Sequence, residues 1–203
     1  MTAASEPITP SSDVDPTGPL MLVTKDLPLP DGYVPADLVH PNVPSASPGA
    51  APLLNAATAA AAEAMFAAAR ADGVAITLVS GYRSFTTQAI IREGHTSALG
   101  AEAAEAVSAR PGHSEHQTGW AMDIGDGSGT CSMTACFADQ PAAAWAAANA
   151  HLFGFIIRYP PGAEHITGYV YEPWHLRYVG VGPATEIAAR GITLEEYLGS
   201  VAG

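Results

Sequence analysis

Residues 155–179 read FIIRYPPGAEHITGYVYEPWHLRYV, and this stretch decides the expected fold. It contains three short runs of β-branched and aromatic residues, separated by turns with proline and glycine, at 155–159, 167–171 and 174–179. Runs of this length between turn residues are typical of strands in an antiparallel sheet. The stretch therefore predicts three antiparallel strands near the C-terminal end of the chain.

The segments before and after this stretch have the composition of helices. Residues 53–71 are mostly alanine, the strongest helix former, and Asp72-Gly73 after them is a typical helix end. The same reasoning predicts two more strands, at 74–79 and 120–124, and helices at 84–92, 100–109, 141–152, 183–190 and 194–198. Because the helices cluster early and the strands late, we expect an α+β fold, a small antiparallel sheet flanked by helices.

Proline is concentrated at the N-terminal end, where 11 of the 17 prolines fall within the first 52 residues. Proline fixes φ and removes a backbone donor, so this region cannot form a regular helix or a central strand. We therefore predict a flexible leader over residues 1–20 and an extended arm over residues 20–38 that packs on the folded body. The expected organisation is a leader and arm at 1–43 and one compact domain at 44–203.

Composition excludes several classes of protein. The 203 residues are 48% hydrophobic, which is enough for one domain with its own core. No run of 18 uncharged apolar residues occurs, so we expect no transmembrane segment. The net charge of −12 repels phosphate backbones and anionic lipids, so a nucleic-acid partner is not expected. A monomer is the default expectation.

The two cysteines, Cys131 and Cys136, lie five residues apart in a segment rich in glycine, serine and threonine. This spacing is neither a redox CxxC motif nor half of a zinc ribbon. A local disulfide is the favoured interpretation, and two reduced, buried thiols are the alternative. A disulfide implies an oxidising compartment. Residues 1–6 have no signal-peptide features, so the chain is either cytoplasmic or extracytoplasmic with its signal removed, and the cysteines favour the second.

Two polar segments hold the residues that could bind a metal ion. The first is PGHSEHQTGWAMD at 111–123, and the second is EPWH at 172–175. Together they offer three imidazoles and several carboxylates. A catalytic zinc needs three such ligands, an open fourth position and a carboxylate that accepts a proton from water. Spacing alone leaves two interpretations open, a metal site and two ordinary polar loops with locally bonded histidines.

Three motifs in order make the interpretation more specific. They are SGYRS at 80–84, SxHxxGxAxD at 114–123 and EPWH at 172–175. In this order and spacing the chain resembles the VanY-type D-alanyl-D-alanine carboxypeptidases, zinc peptidases of the group that includes the D-Ala-D-Ala dipeptidases. The resemblance covers about residues 20–200. It implies that 44–203 is a zinc peptidase catalytic domain and that the cofactor is Zn²⁺.

The resemblance implies a role for each matching residue. The zinc ligands would be His116, Asp123 and His175. Glu172 would be the general base, which takes a proton from the attacking water and passes it to the leaving amine. Arg83 would be the catalytic cation, which neutralises the carbonyl oxyanion or pairs with the terminal carboxylate of the substrate.

Three further residues are expected to contact substrate. Ser114 and Gln88 would donate or accept hydrogen bonds, with the alternatives that Ser114 caps a turn and Gln88 only fills a helix. Tyr82 would form part of the pocket wall. The substrate ends in a carboxylate and the protein is anionic, so positive charge must be supplied locally. The available sources are Arg83, Arg158, Arg177 and the zinc.

The resemblance implies a zinc-dependent D,D-carboxypeptidase that removes the C-terminal D-Ala from peptidoglycan stem peptides by attack of metal-bound water. The expected partner is such a stem peptide, or its precursor, ending in D-Ala. An L,D-carboxypeptidase or an L-Ala–D-Glu endopeptidase acting on the same peptides is the alternative, because the three motifs hardly distinguish them. A binding module without turnover is disfavoured, because every proposed ligand and the base are present.

Overall fold

The computed structural model describes residues 17–47 and 49–200. Residues 1–16, which hold most of the predicted leader, lie outside the described residues. Within the described residues the first regular elements are β1 (Leu38–Val39) and β2 (Leu54–Asn55), which pair antiparallel as a short ribbon. This ribbon leads directly into the first helix.

A four-stranded sheet forms the centre of the molecule. Its strands are β3 (Ile76–Ser80), β4 (Ala121–Asp126), β5 (Phe155–Ile157) and β6 (His175–Tyr178). The spatial order is β3-β4-β6-β5, and every neighbouring pair is antiparallel. Together with the helices around it, this sheet confirms the predicted α+β class.

Helices flank the sheet, and side chains cap the starts of two of the longest. The Asn55 side chain accepts a hydrogen bond from the Ala57 amide, and Ser84 accepts one from Thr87, so each caps a helix N-terminus. No helix among residues 17–47 and 49–200 is both long and apolar enough to cross a bilayer. In the described part of the chain the α-helices are α1 (Ala56–Ala71), α2 (Phe85–Leu99), α3 (Ala101–Val107), α4 (Pro141–Asn149), α5 (Glu164–Thr167), α6 (Val181–Arg190) and α7 (Leu194–Tyr197).

Successive side chains of β4 point alternately into the core and onto the polar face of the sheet. Met122 and Ile124 are fully buried in the main core, together with apolar residues of α1 and α4. Leu176 of β6 lies opposite Met122 and joins the same core. Successive side chains of a strand point to opposite faces, so Asp123 between them lies on the other face. One face therefore builds the core and leaves the other free for polar chemistry.

The predicted strand at 167–171 is wrong. Thr167 is the last residue of α5, and Gly168 follows it with a left-handed φ of 77°. The Thr167 hydroxyl accepts a hydrogen bond from the Tyr169 amide, which a ladder partner would otherwise bind. Tyr169 is buried because its ring packs at 4.6 Å from that of Tyr159. Tyr169, one of the aromatic residues that suggested a strand, therefore packs beside the polar face from a loop.

The segment before β1 lies against the folded body in an extended path. Met21, Val23 and Leu29 form a small buried cluster of their own. The Leu29 amide donates to the Gly112 carbonyl at 2.8 Å, so the segment also contacts the stretch that carries the SxHxxGxAxD motif. These contacts hold the described part of the arm beside that stretch. The domain boundary at residue 44 stays a prediction.

Replacing Gly119 and replacing Gly94 by alanine are expected to change the free energy of unfolding in opposite directions. Gly119 has a φ of 74°, and an added Cβ would lie 2.9 Å from Leu38 Cδ2 and 3.0 Å from the Asn55 amide nitrogen. Gly119→Ala is therefore expected to lower the free energy of unfolding by at least about 1–2 kcal/mol. Gly94 lies in α2 with open space around it, so Gly94→Ala should raise that free energy by about 0.5–1 kcal/mol.

Urea unfolding of both variants beside the wild type measures these changes. Equal stability of the wild type and Gly119→Ala would contradict the tight turn that precedes β4.

Candidate metal centre

The register between β4 and β6 places two of the predicted ligands side by side. Asp123 pairs directly with His175 in the ladder, so their side chains share one face of the sheet. The Asp123 Oδ1 oxygen lies 3.1 Å from His175 Nδ1. Both residues are almost completely buried. Two residues that are 52 positions apart in sequence therefore become direct neighbours.

His116 reaches this pair from a short 3-10 helix, Glu115–Thr118, which ends at Gly119 just before β4. Its Nδ1 lies 2.7 Å from the Gly81 carbonyl oxygen. A carbonyl only accepts, so Nδ1 carries the proton and Nε2 is left unprotonated. His116 Nε2 faces the second oxygen of Asp123, Oδ2, at 3.2 Å. Backbone contacts thus fix the tautomer that a metal ligand needs.

The three predicted ligands fit a zinc ion. One donor atom from each of His116, Asp123 and His175 lies within 4.8 Å of the other two. His116 Nε2 and Asp123 Oδ2 are buried and have no hydrogen-bond partner, which is costly unless something else binds them. Two imidazoles and one carboxylate are the donors of a catalytic zinc site with an open position. The donor set and the unpartnered atoms agree with Zn²⁺.

The charges of these groups also suit a cation. Burial and the nearby Arg83 guanidinium lower the pKa of His116 to about 4, so its ring is neutral at physiological pH. Burial alone would raise the pKa of Asp123, but His116 and His175 hold it well below its usual range. Burial alone would lower the pKa of His175, but the carboxylates around it raise this pKa to about 9. Metal binding must therefore displace a proton from His175.

Glu172 and Arg83 lie beside the three donors. Glu172 Oε2 is 3.8 Å from His175 Nδ1, and burial raises the pKa of Glu172 to about 7. The Glu172 amide donates to the Tyr159 carbonyl at 3.1 Å, which anchors the turn that carries this carboxyl. Arg83 is half-buried, and its Nε has no hydrogen-bond partner. One proton acceptor and one cation therefore adjoin the donor set.

These groups open into a cavity of about 380 Å³, which also contains two of the predicted substrate contacts. Gln88 is buried, and its amide donates to the Ala109 carbonyl at 2.8 Å, while its Oε1 has no partner. Ser114 is buried in the cavity wall and makes no side-chain cap to the 3-10 helix that follows it. Tyr82 is half-buried outside that wall, and its substrate role stays a prediction.

Cys131 and Cys136 are joined by a disulfide in the structure. Met133, inside the loop that this disulfide closes, lines the same cavity. The loop carries positive φ values at Cys131 and Met133, a backbone conformation that side chains rarely adopt. The crosslink therefore constrains a segment that borders the site.

Arg158 and Arg177 do not supply charge to the cavity as expected. Both are fully buried, and both lie within 2.8 Å of the Glu115 carboxylate. Arg158 also pairs with Glu195 at 2.6 Å. These arginines neutralise buried carboxylates, so among the predicted cations only Arg83 faces the cavity.

Glu115 was not singled out by the sequence motifs, although it is buried beside the proposed ligands. One signal could have found it. Arg158 and Arg177 stand inside otherwise apolar strand sequences, FIIRY and HLRYV. A buried arginine needs a buried acid as partner, and an acidic residue next to a proposed ligand is a natural candidate.

Known proteins are similar to this chain in sequence and in fold. The VanY family model, described as D-alanyl-D-alanine carboxypeptidase, matches residues 51–181. YodJ of Bacillus subtilis strain 168, which carries a provisional carboxypeptidase name, is 42% identical over 189 residues, 92% of this chain and 69% of that protein.

Two solved structures extend the comparison. The LdcB LD-carboxypeptidase superposes with a TM-score of 0.85 at 42% identity, covering 92% of this chain and 88% of that one. A VanY D,D-pentapeptidase mutant solved with Zn(II) gives 0.72 at 38% identity, covering 88% of this chain and 98% of its own.

The fold and the donor set define a zinc metallopeptidase. The zinc cofactor expected from the sequence is confirmed by the donor geometry together with the zinc-bound relative. The chain belongs to the VanY family of carboxypeptidases.

Removing either imidazole should empty the metal site, because two donors hold zinc much more weakly than three. We expect His116→Ala and His175→Ala to contain no zinc after dialysis, as measured by elemental analysis. His113→Ala is the matched control, because this histidine lies three residues before His116 and bonds the Thr24 carbonyl instead. Full zinc occupancy in either ligand variant would contradict the assigned donor set.

Proposed function

We propose that this protein is a zinc-dependent D,D-carboxypeptidase that removes the C-terminal D-Ala from peptidoglycan stem peptides. One observation carries the proposal: three buried donor atoms meet beside a proton acceptor and an unpaired guanidinium nitrogen at one cavity. The proposed ligands are His116, Asp123 and His175. Zinc bound there would act as a Lewis acid, which polarises a carbonyl and acidifies water.

Glu172 is the group that moves the proton in this proposal. Its pKa of about 7 lies near the operating pH, so the same carboxyl can accept a proton and give it back. It takes a proton from the water whose oxygen attacks the scissile carbonyl carbon. When the carbon–nitrogen bond breaks, that proton passes to the nitrogen of the leaving D-Ala. Atoms and charges then balance over one turnover.

Arg83 and two polar side chains hold the substrate in this proposal. The Arg83 guanidinium pairs with the terminal carboxylate of the peptide or with the developing oxyanion. The free Oε1 of Gln88 can accept a peptide N–H, and the Ser114 hydroxyl can donate to a carbonyl. No second cation predicted for this role remains, because Arg158 and Arg177 are already paired.

An L,D-carboxypeptidase is the second candidate, and a specific observation favours it. The LdcB LD-carboxypeptidase superposes with a higher TM-score than the VanY D,D-pentapeptidase, 0.85 against 0.72. Both activities release a terminal D-Ala, so the metal site and Arg83 serve either one. The residue before the scissile bond, D in one case and L in the other, is what distinguishes them.

The setting of this activity follows from its substrate. We propose that the protein acts outside the cytoplasm on stem peptides or their precursors, where its disulfide would persist. We also propose that residues 44–203 are the catalytic domain and that residues 1–43 form its leader and arm.

A pair of peptides separates the two candidates. With a stem pentapeptide ending in D-Ala-D-Ala and a tetrapeptide ending in L,D-linked D-Ala, we expect faster alanine release from the pentapeptide. Chelator should abolish release and added zinc should restore it. Mass spectrometry of the products checks the result, because exclusive tetrapeptide cleavage would establish the second candidate, and a larger released fragment would indicate an endopeptidase.

Glu172→Gln tests the proton acceptor. The amide keeps the size of the side chain but cannot take a proton, so we expect kcat to fall by about 10²–10⁴-fold with zinc content unchanged. Glu164→Gln, an exposed acid in α5, is the matched control and should keep wild-type kcat. Activity retained in Glu172→Gln would remove Glu172 from the mechanism while leaving the metal site intact.

A further inference from the structure

Four buried charged side chains form a network next to the metal centre. Glu115 Oε1 lies 2.7 Å from Arg158 Nε and 2.8 Å from Arg177 Nη1. The other edge of the Arg158 guanidinium binds both oxygens of Glu195, at 2.6 and 2.9 Å. Two positive and two negative charges balance, so the network can be buried without an uncompensated charge.

The two oxygens of Glu115 have different surroundings. Both arginines approach Oε1, whereas Oε2 is buried and has no hydrogen-bond partner. His175 Nε2 lies 3.6 Å from Oε2, and it too is buried and has no partner. Each of these atoms therefore faces the other, slightly beyond hydrogen-bond distance.

The other nitrogen of the His175 ring lies on the side of the metal donors. His175 Nδ1 is 3.1 Å from Asp123 Oδ1 and 3.8 Å from Glu172 Oε2. A nitrogen that binds a metal must be unprotonated, so a neutral ring with Nδ1 free carries its proton on Nε2. That proton would point at the unpartnered oxygen of Glu115.

We infer that Glu115 is a positioning residue, which keeps the proton of His175 on Nε2 and so leaves Nδ1 free for zinc. It touches neither substrate nor metal, and it acts only through the orientation and tautomer of the ring. A carboxylate that accepts from the second nitrogen of a metal-bound histidine commonly sets its tautomer and basicity. The inference rests on the proposed ligand set.

The N-terminal arm contributes to this positioning. Arg177 Nη2 donates to the Pro19 carbonyl at 2.9 Å and to the Met21 carbonyl at 2.6 Å. Arg177 therefore bonds the arm on one side and Glu115 on the other. Glu195, which lies in α7, binds Arg158. Separate parts of the chain thus fix the direction of the Glu115 carboxylate.

Glu115→Gln tests the inference because the two arginines fix which way its amide points. Guanidinium groups only donate, so the amide oxygen must occupy the Oε1 position. The NH₂ group then takes the Oε2 position and directs a donor at His175 Nε2. That nitrogen must become an acceptor, so the ring keeps its proton on Nδ1, where it competes with zinc.

Three readouts follow, and the first of them needs no metal. Nitrogen NMR of histidine-labelled, metal-free protein should show His175 protonated on both nitrogens in the wild type, where Nδ1 faces Asp123 and Nε2 faces Glu115, and protonated on Nδ1 but not on Nε2 in Glu115→Gln. Chelator competition should show zinc binding about 10–100-fold weaker in the variant. In the zinc-loaded wild type, NMR should show Nδ1 bound to the metal. A metal bond through Nε2 would overturn the inference even if the variant did not fold.

Glu195→Gln is the matched control, because it removes the same charge from the same network without facing His175. It should keep Nε2 protonated and bind zinc within about threefold of the wild type, well inside the effect expected for Glu115→Gln. The inference would be refuted if zinc binding weakened equally in both variants. It would also be refuted if the protonation of His175 were the same in Glu115→Gln as in the wild type, because Glu115 would then have only a structural role. A wild type that binds no zinc would instead overturn the ligand set and with it the proposed function.

Discussion

The ladder pair between Asp123 in β4 and His175 in β6 is the constraint on which the site depends. It brings a carboxylate and an imidazole together on one face, while the neighbouring pair, Met122 and Leu176, is buried in the core on the other. Since side chains alternate along a strand, slipping the register by one residue would place the ligands in the apolar core and the core residues on the polar face. The hydrophobic core therefore enforces the geometry of the metal site.

A second consequence of this arrangement is a high density of buried charge on the same face of the sheet as the metal donors, because Arg177 lies two residues after His175 in β6. Burying isolated ions costs several kcal/mol each, so such groups persist only when they are paired with good geometry. Here Glu115 and Glu195 neutralise two arginines, and one of these, Arg177, also binds backbone carbonyls of the arm. The same groups that offset each other's desolvation thereby connect the arm, α7 and the metal centre.

The sequence predicted the central features of the fold because they depend on local composition. Alanine content and caps located α1 and α2 to within a few residues at most ends, although α2 continues to Leu99 rather than residue 92. The strand expected at 167–171 failed because periodicity does not say what an aromatic residue packs against. Tyr169 is buried by a loop contact with Tyr159, and no local pattern distinguishes that from a strand.

By itself, the sequence determined the class of the protein, its metal and its family, since ordered motifs carry the donor types and their spacing. Only the tertiary structure decided which charges serve the cavity. Arg83 faces the cavity, whereas Arg158 and Arg177 point into the network around Glu115. The physical reason is that an arginine looks the same in sequence whether its partner is a substrate or a buried acid. Only the three-dimensional contacts show which partner it has.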